Sequence, residues 1–197
     1  MAGINSAQVY LPSPDQSGTT GAVAVAALGT TAPTDARTAL GASWSTGGYV
    51  GEDGLSLSLS RSFTAIKDWS QSTVRKALTD FDGTLSFPFM QIDEFAADEM
   101  FGSTNVTATA KSTTHGNELS IGIGAELAPA KSWCFNMKDG DRRVRVYCPE
   151  AQVTEIGDVS FVPGSAHQYP VTLSTYPDSS GKSIYVFYDD GELVVSA

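Results

Sequence analysis

The stretch Leu55-Ser56-Leu57-Ser58-Leu59-Ser60 alternates apolar and polar side chains without a break. Successive side chains of an extended chain point to opposite faces, so this is the pattern of a strand with one wet and one dry face. The same period of two returns further on. Leu85, Phe87 and Phe89 alternate with Ser86 and Pro88, and Val106, Ala108 and Ala110 with Asn105, Thr107 and Thr109. Leu119, Ile121, Ile123 and Ala125 follow, then Val144 and Val146, then Tyr169, Val171 and Leu173, then Ile184, Val186 and Tyr188. Asp-Gly pairs at 53–54, 82–83, 139–140 and 190–191, with His115-Gly116-Asn117, supply turn signals between these runs. Short strands with hairpin turns at regular spacing predict a mainly β chain, an antiparallel β-sandwich or partial barrel.

Turn chemistry suggests registers. A two-residue loop at Asp139-Gly140 sets Trp133 against Val146, Phe135 against Val144 and Cys134 against Arg145. Cys134 and Cys148 then lie on opposite faces of the sheet, where no disulfide can join them, and two free thiols are expected. At Asp82-Gly83 a two-residue loop sets Lys76 against Phe89, and a three-residue loop sets Phe81 against Leu85; the latter is preferred. Asp190-Gly191 predicts a hairpin pairing Tyr188 with Leu193 and Val186 with Val195. One segment breaks the period. Ile92, Phe95, Ala96 and Met100 fall on one helical face, Asp93 can cap the start, Glu94 suits the positive end of the dipole and Gly102 can close the end. A short helix over 93–101, packed on the sheet, is expected.

Composition narrows the function. The 197 residues carry 22 acidic and 12 basic side chains, a formal net charge of −10. With charged residues at 17% and hydrophobic residues at 41%, the chain can bury a core. So acidic a chain does not seek nucleic acid by counterion release. No apolar run approaches the roughly 20 residues of a membrane-spanning helix; the longest, Gly21 to Gly29, is short. No basic region precedes an apolar core at the N-terminus, so no secretion signal is expected. The first fifty residues are rich in Gly, Ala, Ser, Thr and Pro and weakly periodic. They read either as a flexible tail or as an extended arm that orders on a neighbour, ahead of a β-sandwich domain over 51–197.

Chemistry is scarce. His115 sits in a turn and His167 alternates out of a strand, and there is no nucleophile elbow. Gly181-Lys182-Ser183 ends like a phosphate loop, but Tyr176 stands where its first glycine is required. The carboxylates of Asp139-Gly140-Asp141 and Asp189-Asp190-Gly191-Glu192 read as solvated turn residues, since a calcium loop needs more oxygen ligands at fixed spacing. Arg142, Arg143 and Arg145, the only dense basic cluster, read as partners of acids on a neighbour or as a solvated face rather than as a nucleic-acid contact. No catalytic residue, metal site or cofactor is expected.

Several blocks carry a resemblance. Leu28-Gly-Thr-Thr-Ala-Pro-Thr-Asp35 followed by Gly47-Gly-Tyr-Val-Gly-Glu-Asp-Gly54 resembles the N-terminal signature of major tail proteins of long, non-contractile-tailed bacteriophages, notably those infecting actinobacteria. Ser60-Arg-Ser-Phe-Thr-Ala-Ile-Lys-Asp-Trp69 with Val74-Arg75 resembles the next block, and Tyr169-Pro-Val-Thr-Leu-Ser-Thr-Tyr-Pro-Asp178 the closing strands. The helix falls where that family has one. The resemblance implies hexameric rings, each completing a continuous inner β-barrel and stacking into a hollow tail tube, the conduit for DNA delivery. It implies as partners the chain itself, a tape-measure protein, a tail terminator and tail-tip or baseplate proteins, with genomic DNA passing unbound. It implies a virion protein made and assembled in the host cytoplasm, with no membrane binding.

A ring of six would carry a formal −60, six times −10. An acidic wall would let DNA phosphates slide rather than stick. Asp80, Asp82 and Glu118, beside strong strands, are the candidate lumen carboxylates. Deleting residues 1–40 is expected to leave a folded domain unable to form long tubes. Two other readings compete. A β-sandwich binding module, adhesin-like or carbohydrate-binding, on a virion or cell surface needs clustered exposed aromatics, for which Trp44, Trp69 and Trp133 are available. An all-β hydrolase needs a convergent carboxylate pair.

Overall fold

The structure is a computed structural model, and it describes Ile4, residues 8–15 and residues 21–192. Eleven strands and one helix follow in chain order: β1 (Ser13–Pro14), β2 (Val23–Ala26), β3 (Ser45–Gly47), β4 (Ser56–Lys67), β5 (Thr73–Phe89), α1 (Glu94–Phe101), β6 (Val106–Thr109), β7 (Glu118–Ile121), β8 (Lys131–Asp139), β9 (Arg142–Ile156), β10 (Tyr169–Tyr176) and β11 (Tyr185–Asp189). The main sheet runs β3-β2-β8-β9-β10-β5-β4, with β1 also on β8 and β11 also on β9; β6 and β7 form a separate pair. Every pairing is antiparallel.

β9 makes the fold a sandwich. Its first part pairs with β8 and β11, and Glu150–Ile156 pairs with β10. The ladder slips at Lys131/Trp133 and again at Thr172/Leu173, and such slips bend strands. The sheet therefore turns back on itself, and β5 meets β8 across a shared core although the two are not neighbours. The Phe87 ring lies 5.1 Å from Phe135 and 6.1 Å from Trp133. Val23, Val25, Leu85, Phe89, Val153, Val171 and Leu173 complete this layer, and α1 closes it with Ala96 and Met100. A smaller cluster, Ala24, Ala26, Trp44, Cys134 and Tyr147, occupies the other face of β2, β8 and β9. The sheet runs across residue 50: β2, four consecutive buried residues, and β3 both precede it.

The helix is as the sequence reads. The Asp93 carboxylate accepts the Ala96 N–H at 2.9 Å, and Gly102 ends α1 at φ 83°. Both cysteines are free and buried, and desolvation pushes each thiol up to about 12. The expected β8–β9 register is corrected. Trp133 pairs with Cys148, Phe135 with Val146 and Cys134 with Tyr147, two residues from expectation. The loop is Gly140-Asp141, because Gly140 takes the positive φ of 61° that a tight hairpin needs at its first loop position. A slip of two keeps every face, so the two thiols still point apart.

The turn expected at Asp82-Gly83 is absent: β5 runs unbroken from Thr73 to Phe89. Leu59 pairs with Gly83 and Ser60 with Asp82, while the turn falls at residues 68–72. Gly83 serves close approach instead. A Cβ there would lie 2.8 Å from Thr175 Oγ1, and the Thr175 hydroxyl donates to the Gly83 carbonyl at 2.8 Å. The pairs expected for Leu193 and Val195 lie outside the described residues.

Candidate functional site

The β4–β5 hairpin is where the chain departs from ordinary burial. Every residue of β4 is exposed, although the Leu-Ser alternation predicts a dry face. Beyond the core, β4 has β5 as its only neighbour in the sheet among the described residues, so its outer edge is unpaired there. Its register fixes two faces. Leu57, Leu59, Arg61 and Phe63 lie opposite Leu85, Gly83, Phe81 and Leu78. This face continues the core outward into solvent, with Leu59 and Phe63 at 50% and 55% exposure and Arg61 over the Phe81 ring at 5.3 Å.

The other face is polar across four strands. Ser56, Ser58, Ser60 and Ser62 oppose Ser86, Thr84, Asp82 and Asp80. Thr172 and Ser174 of β10 oppose Ser86 and Thr84, and Glu155 and Gln152 of β9 follow. The hydroxyls are laced together, Ser86 to Thr172 at 3.2 Å and Thr154 to Ser174 at 3.0 Å. Asp80 and Asp82 thus share one exposed face at spacing two. Glu118 lies apart from them on β7, with its carboxylate 3.7 Å from His115.

Six of the twelve cations are held inside the fold, while Lys111, Lys182 and the four of the β4–β5 hairpin have no acid within salt-bridge distance among the described residues. Arg37 pairs with Asp189, Lys131 with Glu99, Lys138 and Arg143 with Asp15, and Arg142 with Asp139. Arg145 is buried, donating to Asn136 Oδ1 and to the carbonyls of Asp35 and Thr38. The expected Arg142–Arg143–Arg145 cluster is thus spent on internal contacts. Burial pushes the Glu99 carboxyl up, and the Lys131 ammonium 2.8 Å away opposes this. By contrast Arg61, Lys67, Arg75 and Lys76 of the hairpin have no carboxylate within salt-bridge distance among the described residues.

The three tryptophans do not form a platform. Trp133 is 1% exposed and Trp44 is buried, while Trp69 stands fully in solvent at the hairpin tip. A groove of about 570 Å³ runs between residues 28–34 and the rings of Tyr147, Tyr185 and Phe187. Its Asp178 carboxylate is already engaged by the Tyr185 hydroxyl, the Lys182 N–H and the Ser180 hydroxyl, which hold it well below the usual carboxylate range. No group of three or more metal-ligating side chains occurs among the described residues, and no helix there is long and apolar enough to cross a membrane.

A two-faced sheet with an open edge and a projecting hairpin defines a structural β protein built to meet other chains. Residues 13–194 match the family model described as phage tail tube protein, and the chain belongs to that family. It is a structural protein of the phage tail tube, a component of the virion that self-assembles into the rings of the tube. No curated protein matches the chain. The signal missed in the sequence was the exposure of the Leu-Ser strand. Alternation reports that one face is dry, not whether the covering layer belongs to the same chain.

Proposed function

We propose that the chain forms hexameric rings that stack into the hollow tube of a long, non-contractile phage tail, through which genomic DNA passes. The family match over residues 13–194 carries this reading. The hairpin supports it. An apolar stripe of Leu57, Leu59, Phe63, Leu78 and Phe81 has no cover within the described residues, and exposed apolar surface of this kind marks an interface. The open edge of β4 can accept a strand of the next copy, and a ring closes only when each such edge is paired. With the apolar face against neighbours, the Ser/Thr face faces the lumen and carries Asp80 and Asp82. Hydroxyls and carboxylates there offer phosphates no counter-charge, so DNA slides.

The role is mechanical, without a catalytic step or cofactor. Tape-measure, terminator and tail-tip proteins complete the assembly, and subunits are made in the host cytoplasm. Negative-stain electron microscopy of the purified chain, alone and with tail-tip proteins, tests the proposal. Hollow tubes of uniform width are expected. Monomers under both conditions would overturn it in favour of a surface-binding β-sandwich, which a glycan array would check.

A further inference from the structure

We infer that the hairpin tip of one copy docks end to end on the acidic end of a second copy, so that charge sets the direction of stacking. The inference rests on the tube reading above and names the partner surface within it. Residues 56–82 hold four of the chain's twelve basic side chains but three of its twenty-two acidic ones, against a formal net charge of −10 overall. Lys67, Arg75 and Lys76 lie on the two strands next to the turn, exposed and without an acid partner among the described residues. Between them the indole of Trp69 is fully exposed. An amphipathic aromatic beside unpaired cations is the composition of an interface anchor.

The other end of the same strand has the opposite character. β5 ends at Phe89, and the chain holds its neighbours there through the Gly51 N–H to the Pro88 carbonyl at 2.9 Å and the Met90 N–H to the Tyr49 carbonyl at 2.8 Å. This places Glu52 and Asp53, which follow Gly51, at the end of β5, and α1, which begins five residues beyond Phe89, carries Glu94 and Asp98 and has no basic residue in its last turn. None of these four carboxylates has a basic partner within salt-bridge distance among the described residues. The two ends are separated by 17 residues of extended chain, on the order of 50 Å. Opposite charges at opposite ends of one hairpin favour a head-to-tail contact. Repeated along one axis without a closing rotation, such a contact builds a fibre.

Three full-length variants test this: Arg75→Glu/Lys76→Glu, Glu52→Lys/Asp98→Lys, and the fourfold combination. Tube length is read by electron microscopy, and self-association by sedimentation over a range of salt. All three are expected to melt like the parent, since the altered side chains lie on the surface. Each double variant should raise the protein concentration needed for elongation at least about tenfold, the fourfold variant should recover it, and salt should weaken the parent's association. Double variants that elongate normally, or a fourfold variant that stays blocked, would overturn the inference while leaving the tube reading intact. Should the parent give no tubes either alone or with tail-tip proteins, the tube reading fails separately, and sedimentation still decides. Salt-sensitive association present in the parent and the fourfold variant but lost in each double variant supports the contact, and identical behaviour of all four chains refutes it.

Discussion

Gly83 shows how a residue can carry two readings. Beside Asp82 it spells a turn, and the local signal is sound. In the folded chain the Thr175 side chain needs the room a Cβ would fill, and β4 supplies a ladder partner that outweighs the turn. Gly83→Ala is therefore expected to destabilise the domain by about 1–3 kcal/mol through overpacking, read by thermal unfolding. Asp189 makes a second residue-scale prediction. Its bonds from Arg37 and from the Gly191 N–H lower it from 3.8 to about 2. A folded-state value below the unfolded one means that this contribution is fully present above about pH 4 and is lost as pH falls towards about 2. The melting difference between the parent and Asp189→Asn should accordingly shrink between pH 5 and pH 2; a constant difference would contradict the assignment.

At the scale of elements, the helix was legible because all its determinants are local: the cap, the face and the terminal glycine lie within ten residues. Asp93→Ala should cost about 1 kcal/mol, measured by denaturant unfolding. The alternating strands were legible in part, but β1, β3 and the outer half of the β4–β5 hairpin were not, nor were two of the hairpin registers, since positive φ at Gly140 and pairing from β4 decide those rather than the dipeptide itself. β2 was hidden for another reason. Ala and Val carry no alternation when both faces are buried, so Val23–Ala26 read as part of an N-terminal tail or extended arm. Its position changes the truncation experiment. Deleting residues 1–40 removes a strand that covers Cys134 and Trp133, and the remaining chain is expected to unfold. Deleting residues 1–12 spares the strands of the described residues but removes the Leu11 N–H bond to Asp139, the Val9 carbonyl that accepts from Arg142 and the Tyr10 ring against Tyr188, and should cost about 1–3 kcal/mol, read by thermal unfolding. The apolar hairpin face gives the converse case. Leu59→Ser/Phe63→Ser should leave the fold stable and impair assembly, because those side chains cover nothing in their own chain.

At the scale of the whole molecule, the candidate site is a surface, and a surface leaves little trace in a sequence with few motifs. Asp80 and Asp82 were singled out for their strands, and they lie on one polar face; Glu118 was singled out the same way and lies on the separate β6–β7 pair. What the sequence lacked was the register joining the serines of β4 to the hydroxyls of β5 and β10, which makes a continuous face from scattered residues. If that face lines the lumen, Asp80→Lys/Asp82→Lys should slow genome ejection by particles that assemble normally, and unchanged ejection would remove the electrostatic argument. Cryo-electron microscopy of tubes grown from the purified chain tests the central claim most directly. The account predicts a hollow tube of six subunits per ring whose inner wall carries Ser58, Ser60, Asp80 and Asp82, and a tube with those side chains on its outer wall would contradict it.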